Sequence, residues 1–347
     1  MRTELHATSS GSSAGGLAEG PAGEDTVAPD HRAAAETVGR IVDNVCLALA
    51  GKREQALLAV IGLLSGGHIL LEDVPGVGKT LLARALARSV GADYRRVQFT
   101  PDLLPSDLTG MSVFGREEDR FRFVPGPVFA NVVLADEINR AGPKTQSALL
   151  EAMAEGQTTV DGVTRALPEP FSVIATQNPA GEAGTHPLPH AELDRFMVKM
   201  TLGYPDADAE AGMLRLPRDP VRGLSPVVDP GDLLRLRRLA EGVHADEALL
   251  RRVVAVVSAT RHHDGVLLGA SPRAGRMLLA AARAHALAAG RGRCYPEDVR
   301  AVAPHVLAHR IVTRHGGASG GATGEAVDEA GDIVRGIVSS LPEEEAA

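Results

Sequence analysis

Lys79 and Thr80 end the run Glu72-Asp73-Val74-Pro75-Gly76-Val77-Gly78-Lys79-Thr80, and their types and spacing suit phosphate chemistry. Gly76 and Gly78 let successive backbone N–H groups curl around phosphate oxygens with no Cβ in the way. A helix opening here adds the positive end of its dipole. Lys79 would reach the β- and γ-phosphates of a nucleotide, and the Thr80 hydroxyl would give an oxygen to Mg2+. The candidate loop therefore comprises Pro75, Gly76, Val77, Gly78, Lys79, Thr80 and Leu81. One position departs from the usual pattern: Asp73 stands where the first glycine is expected. A glycine-rich turn from strand to helix with no ligand would carry the same glycines.

Two acids follow an apolar run in Val132-Val133-Leu134-Ala135-Asp136-Glu137. Carboxylates at the carboxyl edge of a parallel sheet stand where ligands bind. Asp136 would hold Mg2+, directly or through water, and Glu137 would act as general base on the attacking water. Taken alone, the pair also fits a strand ending in solvated acids. A third run, Phe171 to Asn178, ends in polar amides. If its strand lies between the first and the third, Asn178 falls near the γ-phosphate and can orient water; Asn178-Pro179 is equally a turn signal. Arg195 precedes the last strand, and Arg273 follows Ser271-Pro272, an N-cap and first helical residue. Arginines outside the loop suit a transition state whose charge spreads over phosphoryl oxygens, and one could come from a neighbouring subunit.

These residues need a parallel sheet to bring them together. Short apolar runs at His68–Leu71, Arg96–Phe99, Val132–Ala135, Phe171–Ala175 and Phe196–Thr201 read as five buried parallel strands. Helices after Gly78 and from Pro143 cover the sheet, stopped by Gly91 and Gly156. The result is a three-layer α/β/α plan. Thr158–Val160, Asp161-Gly162 and Val163-Thr164 form a two-residue hairpin signal, and Met111–Val124 a second hairpin with a charged tip. One helical pattern spans about Ala33 to Leu64, and strand signals vanish from about Pro205 to Arg310. The expected organisation is a disordered tail over 1–30, an α/β nucleotide domain over 31–204, a helical domain over 205–314, and a Gly-rich linker with a short helix over 315–347.

Composition bounds the partners. Hydrophobic residues are 44% and charged residues 23%, so a core can form and general disorder is excluded. Lys+Arg total 36 against Asp+Glu 44, giving net charge −8, which argues against coating of nucleic acid by charge. With no Trp, 3 Tyr and 7 Phe, stacking platforms for single strands are not expected. Cys46 and Cys294 form no CxxC pair, which points to a reducing compartment. No apolar run approaches a membrane span and no secretory signal precedes the first helix, so the expected setting is the cytoplasm.

The ordered set from Leu70 to Arg273 resembles the AAA+ ATPases and, within them, the MoxR family. The resemblance runs from about Ala34 to Thr313. It rests on Gln98-Phe99-Thr100-Pro101-Asp102-Leu103-Leu104-Pro105-Ser106-Asp107, on Phe123-Val124-Pro125-Gly126-Pro127-Val128-Phe129-Ala130-Asn131, and on Asp136-Glu137-Ile138-Asn139-Arg140-Ala141. Leu149-Leu150-Glu151-Ala152-Met153 and Ala175-Thr176-Gln177-Asn178-Pro179 continue it. It implies a Walker A pair in Lys79 and Thr80, a Walker B pair in Asp136 and Glu137, sensor 1 in Asn178 and sensor 2 in Arg273. Arg195 matches the trans-acting arginine finger, and Arg140 is a second inter-subunit candidate. Asp73 is a departure this family commonly shows. His190 stands where the family usually has an acid, and Glu192 where Gln is usual.

The resemblance further implies a five-stranded AAA+ core with a small all-helical lid, and ATP and Mg2+ bound between core and lid at a subunit boundary. It also implies a homo-oligomeric, hexameric ring, hairpins aimed at substrate or pore, and chaperone-like action on protein or metalloprotein clients with a von Willebrand factor A domain partner. Two other classes fit parts of the pattern: an ATP-dependent switch or scaffold with negligible turnover, and an ATPase that remodels DNA or a transcription complex. His262-His263-Asp264 and the pair His305 and His309 read as loop and packing residues, since neither has metal-ligand spacing to further residues.

Overall fold

A computed structural model describes residues 29–116, 119–178, 186–314 and 328–341. The expected N-terminal tail up to residue 28, the Gly-rich linker 316–324 and the acidic end 343–345 lie outside the described residues.

The chain begins with two helices, α1 (Pro29–Ala48) and α2 (Arg53–Leu64). The single helical run expected from Ala33 to Leu64 is thus divided. Gly51 adopts φ 71°, a left-handed conformation that ends a helix at no steric cost to glycine. Strand β1 (Ile69–Glu72), helix α3 (Lys79–Ser89) and strand β2 (Tyr94–Gln98) follow. Helix α4 (Pro105–Thr109) leads into a hairpin of β3 (Gly110–Gly115) and β4 (Arg120–Pro125). Next come β5 (Val132–Asp136), α5 (Pro143–Glu155), a second hairpin of β6 (Gln157–Val160) and β7 (Val163–Ala166), and β8 (Ser172–Gln177). Helix α6 (His190–Leu193) precedes β9 (Val198–Met200). Asp161 and Gly162 both have positive φ, 53° and 74°, as the two-residue hairpin requires.

The main sheet has five parallel strands in the order β2-β5-β8-β1-β9. Alternation puts side chains on two buried faces. Ile69, Leu71, Leu134 and Ile174 pack on the layer that includes α1, α2 and α3, through Ile41, Leu64, Leu82 and Leu86. Leu70, Val133, Ala135, Val173 and Ala175 pack on the opposite layer with Leu149 and Met153 of α5. The sheet is therefore dry on both sides, which leaves its two ends as the places where polar side chains can gather.

The chain then forms α7 (Ala207–Met213), α8 (Pro230–Glu241), α9 (Glu247–His262), strand β10 (Val266–Leu268), α10 (Pro272–Ala288) and α11 (Pro296–Leu307). Strand β11 (Val312–Thr313) and α12 (Glu329–Ser340) end the described chain. The expectation of a region without strands is corrected here, since β10 and β11 pair antiparallel. Three residues and two are too short to leave a periodic signal. Ser271 caps α10 through its Oγ, which accepts from Ala274 N at 3.2 Å. The helical region packs on the layer of α1 and α2; Arg237 Nε donates to Leu63 O at 2.7 Å.

A candidate nucleotide site at the carboxyl end of the sheet

The loop between β1 and α3 carries Gly76 at φ 90° and Gly78 at φ 103°. A Cβ on Gly76 would meet nothing within 4 Å, while one on Gly78 would press Leu49 Cδ1 at 3.0 Å. The backbone conformation is thus what demands glycine at position 76, and both conformation and packing demand it at 78. Lys79 is buried at the first turn of α3, and its Nζ donates to Asp73 O at 2.5 Å and to Asn178 Oδ1 at 3.2 Å.

Asp73 does what a glycine could not. Its Oδ1 accepts from Val74 N at 2.8 Å. Its Oδ2 accepts from Leu202 N and Gly203 N, each at 2.7 Å. The carboxylate ties the root of the loop to the segment leaving β9, which leads to the helical region.

β8 lies between β5 and β1, and this order delivers Asn178 to Lys79 from a distance of 99 residues in sequence. Thr176, fully buried on the same strand, donates its hydroxyl to Asp136 Oδ1 at 2.6 Å and accepts from Glu137 N at 2.8 Å. Glu137 sits at φ 56°, a left-handed conformation that costs a non-glycine residue on the order of 1 kcal/mol or more and is concentrated at functional sites. Its Oε2 accepts from Gln98 Nε2 at 3.0 Å and from Arg140 Nη1 at 2.9 Å. Asp136 Oδ2 accepts from Arg96 Nε at 3.0 Å and Nη2 at 2.6 Å.

Arg96 and Gln98 on the edge strand β2, and Thr176, are contacts that the motif spacing did not reveal. Cross-strand register places Gln98 opposite Asp136, a pairing that only strand order can establish. Gln146 is another: its Nε2 donates to the carbonyls of Ile138, Ala141 and His186, which pins the turn after Glu137 to α5.

The residues fit Mg2+ by their donor set. The Thr80 hydroxyl and the Asp136 carboxylate are hard oxygen donors beside the glycine cradle, and Asp136 Oδ1, which accepts only from Thr176 among the bonds described, keeps a lone pair, while Oδ2 is taken by the two Arg96 N–H groups.

The arginines lie elsewhere. Arg195 precedes β9, and Met197 N donates to His68 O at 2.8 Å, at the start of β1. That is the end of the sheet opposite Lys79. Arg195 Nη1 donates to Leu150 O at 2.7 Å. Arg273 is exposed on the first turn of α10, and its charge acts on His68 and Arg310. The helical region packs alongside α1 and α2 and presents Arg273 at the far end of the sheet. Arg140, expected at a subunit contact, pairs with Glu137 of its own chain three residues away.

His68 is buried. Its Nε2 lies 3.0 Å from Met153 O and its Nδ1 accepts from Val173 N at 2.9 Å. Burial pushes its pKa down to about 4. Burial pushes the pKa of the Glu192 carboxyl up, an effect partly offset by the Arg195 charge. His262 Nδ1 faces Ser258 O, His263 Nδ1 accepts from Gly265 N, and His309 is buried with its Nε2 3.0 Å from Phe196 O. These histidines are engaged with backbone.

Comparison with known proteins agrees with this arrangement. Residues 68–198 match the model for the ATPase family associated with various cellular activities (AAA), and residues 258–330 match the AAA lid domain. The chain is 42% identical to the chaperone MoxR1 of Mycobacterium tuberculosis, over 86% of each protein. It is 49% identical to the uncharacterized protein YeaC of Bacillus subtilis, covering 79% of this chain and 87% of that one. A crystal structure of a candidate ATPase from Cytophaga hutchinsonii superposes with TM-score 0.80 at 36% identity, covering 90% of this chain and 96% of the other. With the glycine loop, the paired acids and the strand order already in place, these relatives assign the chain to the MoxR family of AAA+ ATPases.

Proposed function

We propose that the protein binds ATP with Mg2+ at the carboxyl end of its sheet and hydrolyses it, using the cycle to act on a protein client. The observation that carries this reading is the meeting of Lys79, Asn178, Asp136 and Glu137 beside one glycine loop. Lys79 balances charge on the β- and γ-phosphates. Thr80 and Asp136 would hold Mg2+, which when bound would offset negative charge on the phosphates. Asn178 orients the attacking water, and the Glu137 carboxylate accepts its proton as the water oxygen bonds to the γ-phosphorus. The bond to the β–γ bridging oxygen then breaks and ADP carries away the electron pair.

Arg195 and Arg273 lie at the other end of the sheet from their own chain's loop. A second subunit placed end to end would offer its loop to them. This supports a ring, hexameric in our reading, with Arg195 as trans-acting finger and Arg273 as the lid's nucleotide sensor. The hairpin β3–β4 exposes Met111, Val113, Phe114 and Phe121, with the two phenyl rings edge to face at 5.4 Å. Such an apolar arm suits a protein client in the cytoplasm better than nucleic acid. A relative named as a chaperone supports that choice. A von Willebrand factor A domain partner completes the reading.

Glu137→Gln tests it. The amide cannot take the proton, so ATP binding by calorimetry should persist while kcat falls by roughly 100- to 10,000-fold. Turnover at the unaltered rate would remove Glu137 from its role.

A further inference from the structure

The residue beside Arg195 is held by a buried arginine that the hydrolysis scheme leaves unused. Arg310, 1% exposed, follows α11 in the helical region. Its Nε donates to Asp194 Oδ1 at 2.9 Å and its Nη2 to Asp194 O at 3.2 Å. It also donates to the carbonyls of Phe196, Met197 and Val306. The backbone on both sides of Arg195 is thereby bound to one guanidinium. Asp194 Oδ2 in turn accepts from Ser271 Oγ at 3.4 Å, and Ser271 caps the helix whose second residue is Arg273.

One carboxylate therefore joins three segments that are far apart in sequence: the strand entry with Arg195, the helix start with Arg273, and the end of α11. Burying an ion pair is a poor way to gain stability, because desolvation offsets the attraction. What a hydrogen-bonded Arg–Asp pair supplies is fixed direction.

We propose that Asp194 and Arg310 are positioning residues that lock Arg195 and Arg273 into one rigid block, so that both arginines meet a neighbouring subunit's nucleotide together. The proposal rests on the reading that Arg195 acts in trans. It predicts that loosening the block damages a neighbour's turnover and leaves the chain's own loop intact.

The test uses full-length Asp194→Asn and, as a milder change, Arg310→Lys, each assembled alone and each mixed before assembly with the Glu137→Gln protein. Alone, each variant should bind ATP with unaltered Kd while kcat drops roughly 10- to 100-fold, the scale of a small misplacement of a catalytic group. In the mixture, a variant subunit keeps a working Glu137 and borrows the intact arginine block of its Glu137→Gln neighbour. Part of the lost rate should return. A merely destabilised chain would not recover on mixing.

Unaltered kcat in both variants, or loss that mixing fails to restore in both, overturns the proposal. Arg195→Ala mixed with Glu137→Gln is the control. Failure of that mixture to recover overturns the trans reading itself, whereas its recovery beside unrescued Asp194→Asn and Arg310→Lys removes only the locking role.

Discussion

Asp73 shows how a single side chain can replace conformational freedom with anchorage. Its carboxylate accepts three backbone N–H groups, two of them from Leu202 and Gly203, and its carbonyl accepts Lys79 Nζ. The Leu202 amide is buried, so removing its acceptor leaves an unpaired donor that costs about 1–3 kcal/mol. Asp73→Ala should accordingly lower stability by about 2–4 kcal/mol in urea unfolding, with Asp73→Asn losing less because one oxygen remains an acceptor. Lys79→Ala removes the charge expected on the phosphates. Calorimetry with millimolar ATP should then detect no binding while the unfolding transition stays cooperative. Lys79, Thr80, Asp136 and Glu137 were legible from residue type alone, because strand, loop and helix are contiguous there. Thr176, Gln98 and Arg96 were not, because a threonine in an apolar run or an arginine on an edge strand carries no mark of its partner until the strands are paired.

At the scale of elements, the β3–β4 hairpin is set on its base by two glycines. A Cβ on Gly126 would stand 2.1 Å from Leu108 O and 2.5 Å from Gly110 N, and one on Gly110 would stand 2.3 Å from Val124 O. The two backbones touch where side chains would intervene in any other pair. Gly126→Ala should force the hairpin base apart at a cost of about 1–3 kcal/mol, the range for overpacking. Limited proteolysis should cleave the hairpin faster in this variant, with ATP affinity unchanged because the loop at Lys79 is formed by other elements. Both hairpins were visible as alternating β-formers around polar tips. The break between α1 and α2 and the pairing of β10 with β11 were not, since one residue with φ 71° and two strands of three residues or fewer fall below the reach of periodicity.

On the scale of the whole molecule, two buried neutral histidines join layers. His68 links β1 to α5 and β8, and His309 faces Phe196 O at the junction with the helical region. Burial holds His68 at about 4 and His309 well below its ordinary value, the latter with help from the Arg310 charge. The folded pKa of each lies below its unfolded one, so between the two values the unfolded chain binds more protons. The stability involved is complete above about pH 6.5 and is lost as pH falls toward 4. For His68 alone this amounts to about 3 kcal/mol. Urea unfolding at pH 7.5, 5.5 and 4.5 should show that decline, and a flat profile would contradict the neutral, buried state of His68. The arginines belong to this scale too. Arg195 and Arg273 are local in sequence to a strand and a helix, but their distance from Lys79 is a property of the assembled sheet and lid.

Features set within a few residues could be read directly: the glycine loop, the apolar strands with acids at their ends, the Asp161-Gly162 turn, the Ser271 cap. They depend on backbone preferences and periodicity, which neighbours in the chain decide among themselves. The order β2-β5-β8-β1-β9 is of another kind. It arises because five strands must bury both faces under helices with unknotted crossovers, and it alone brings Asn178 to Lys79 and Gln98 to Glu137. The Arg310–Asp194–Ser271 junction likewise exists only once the helical region has packed, since burial of a charge finds its counter-charge in space and not in sequence.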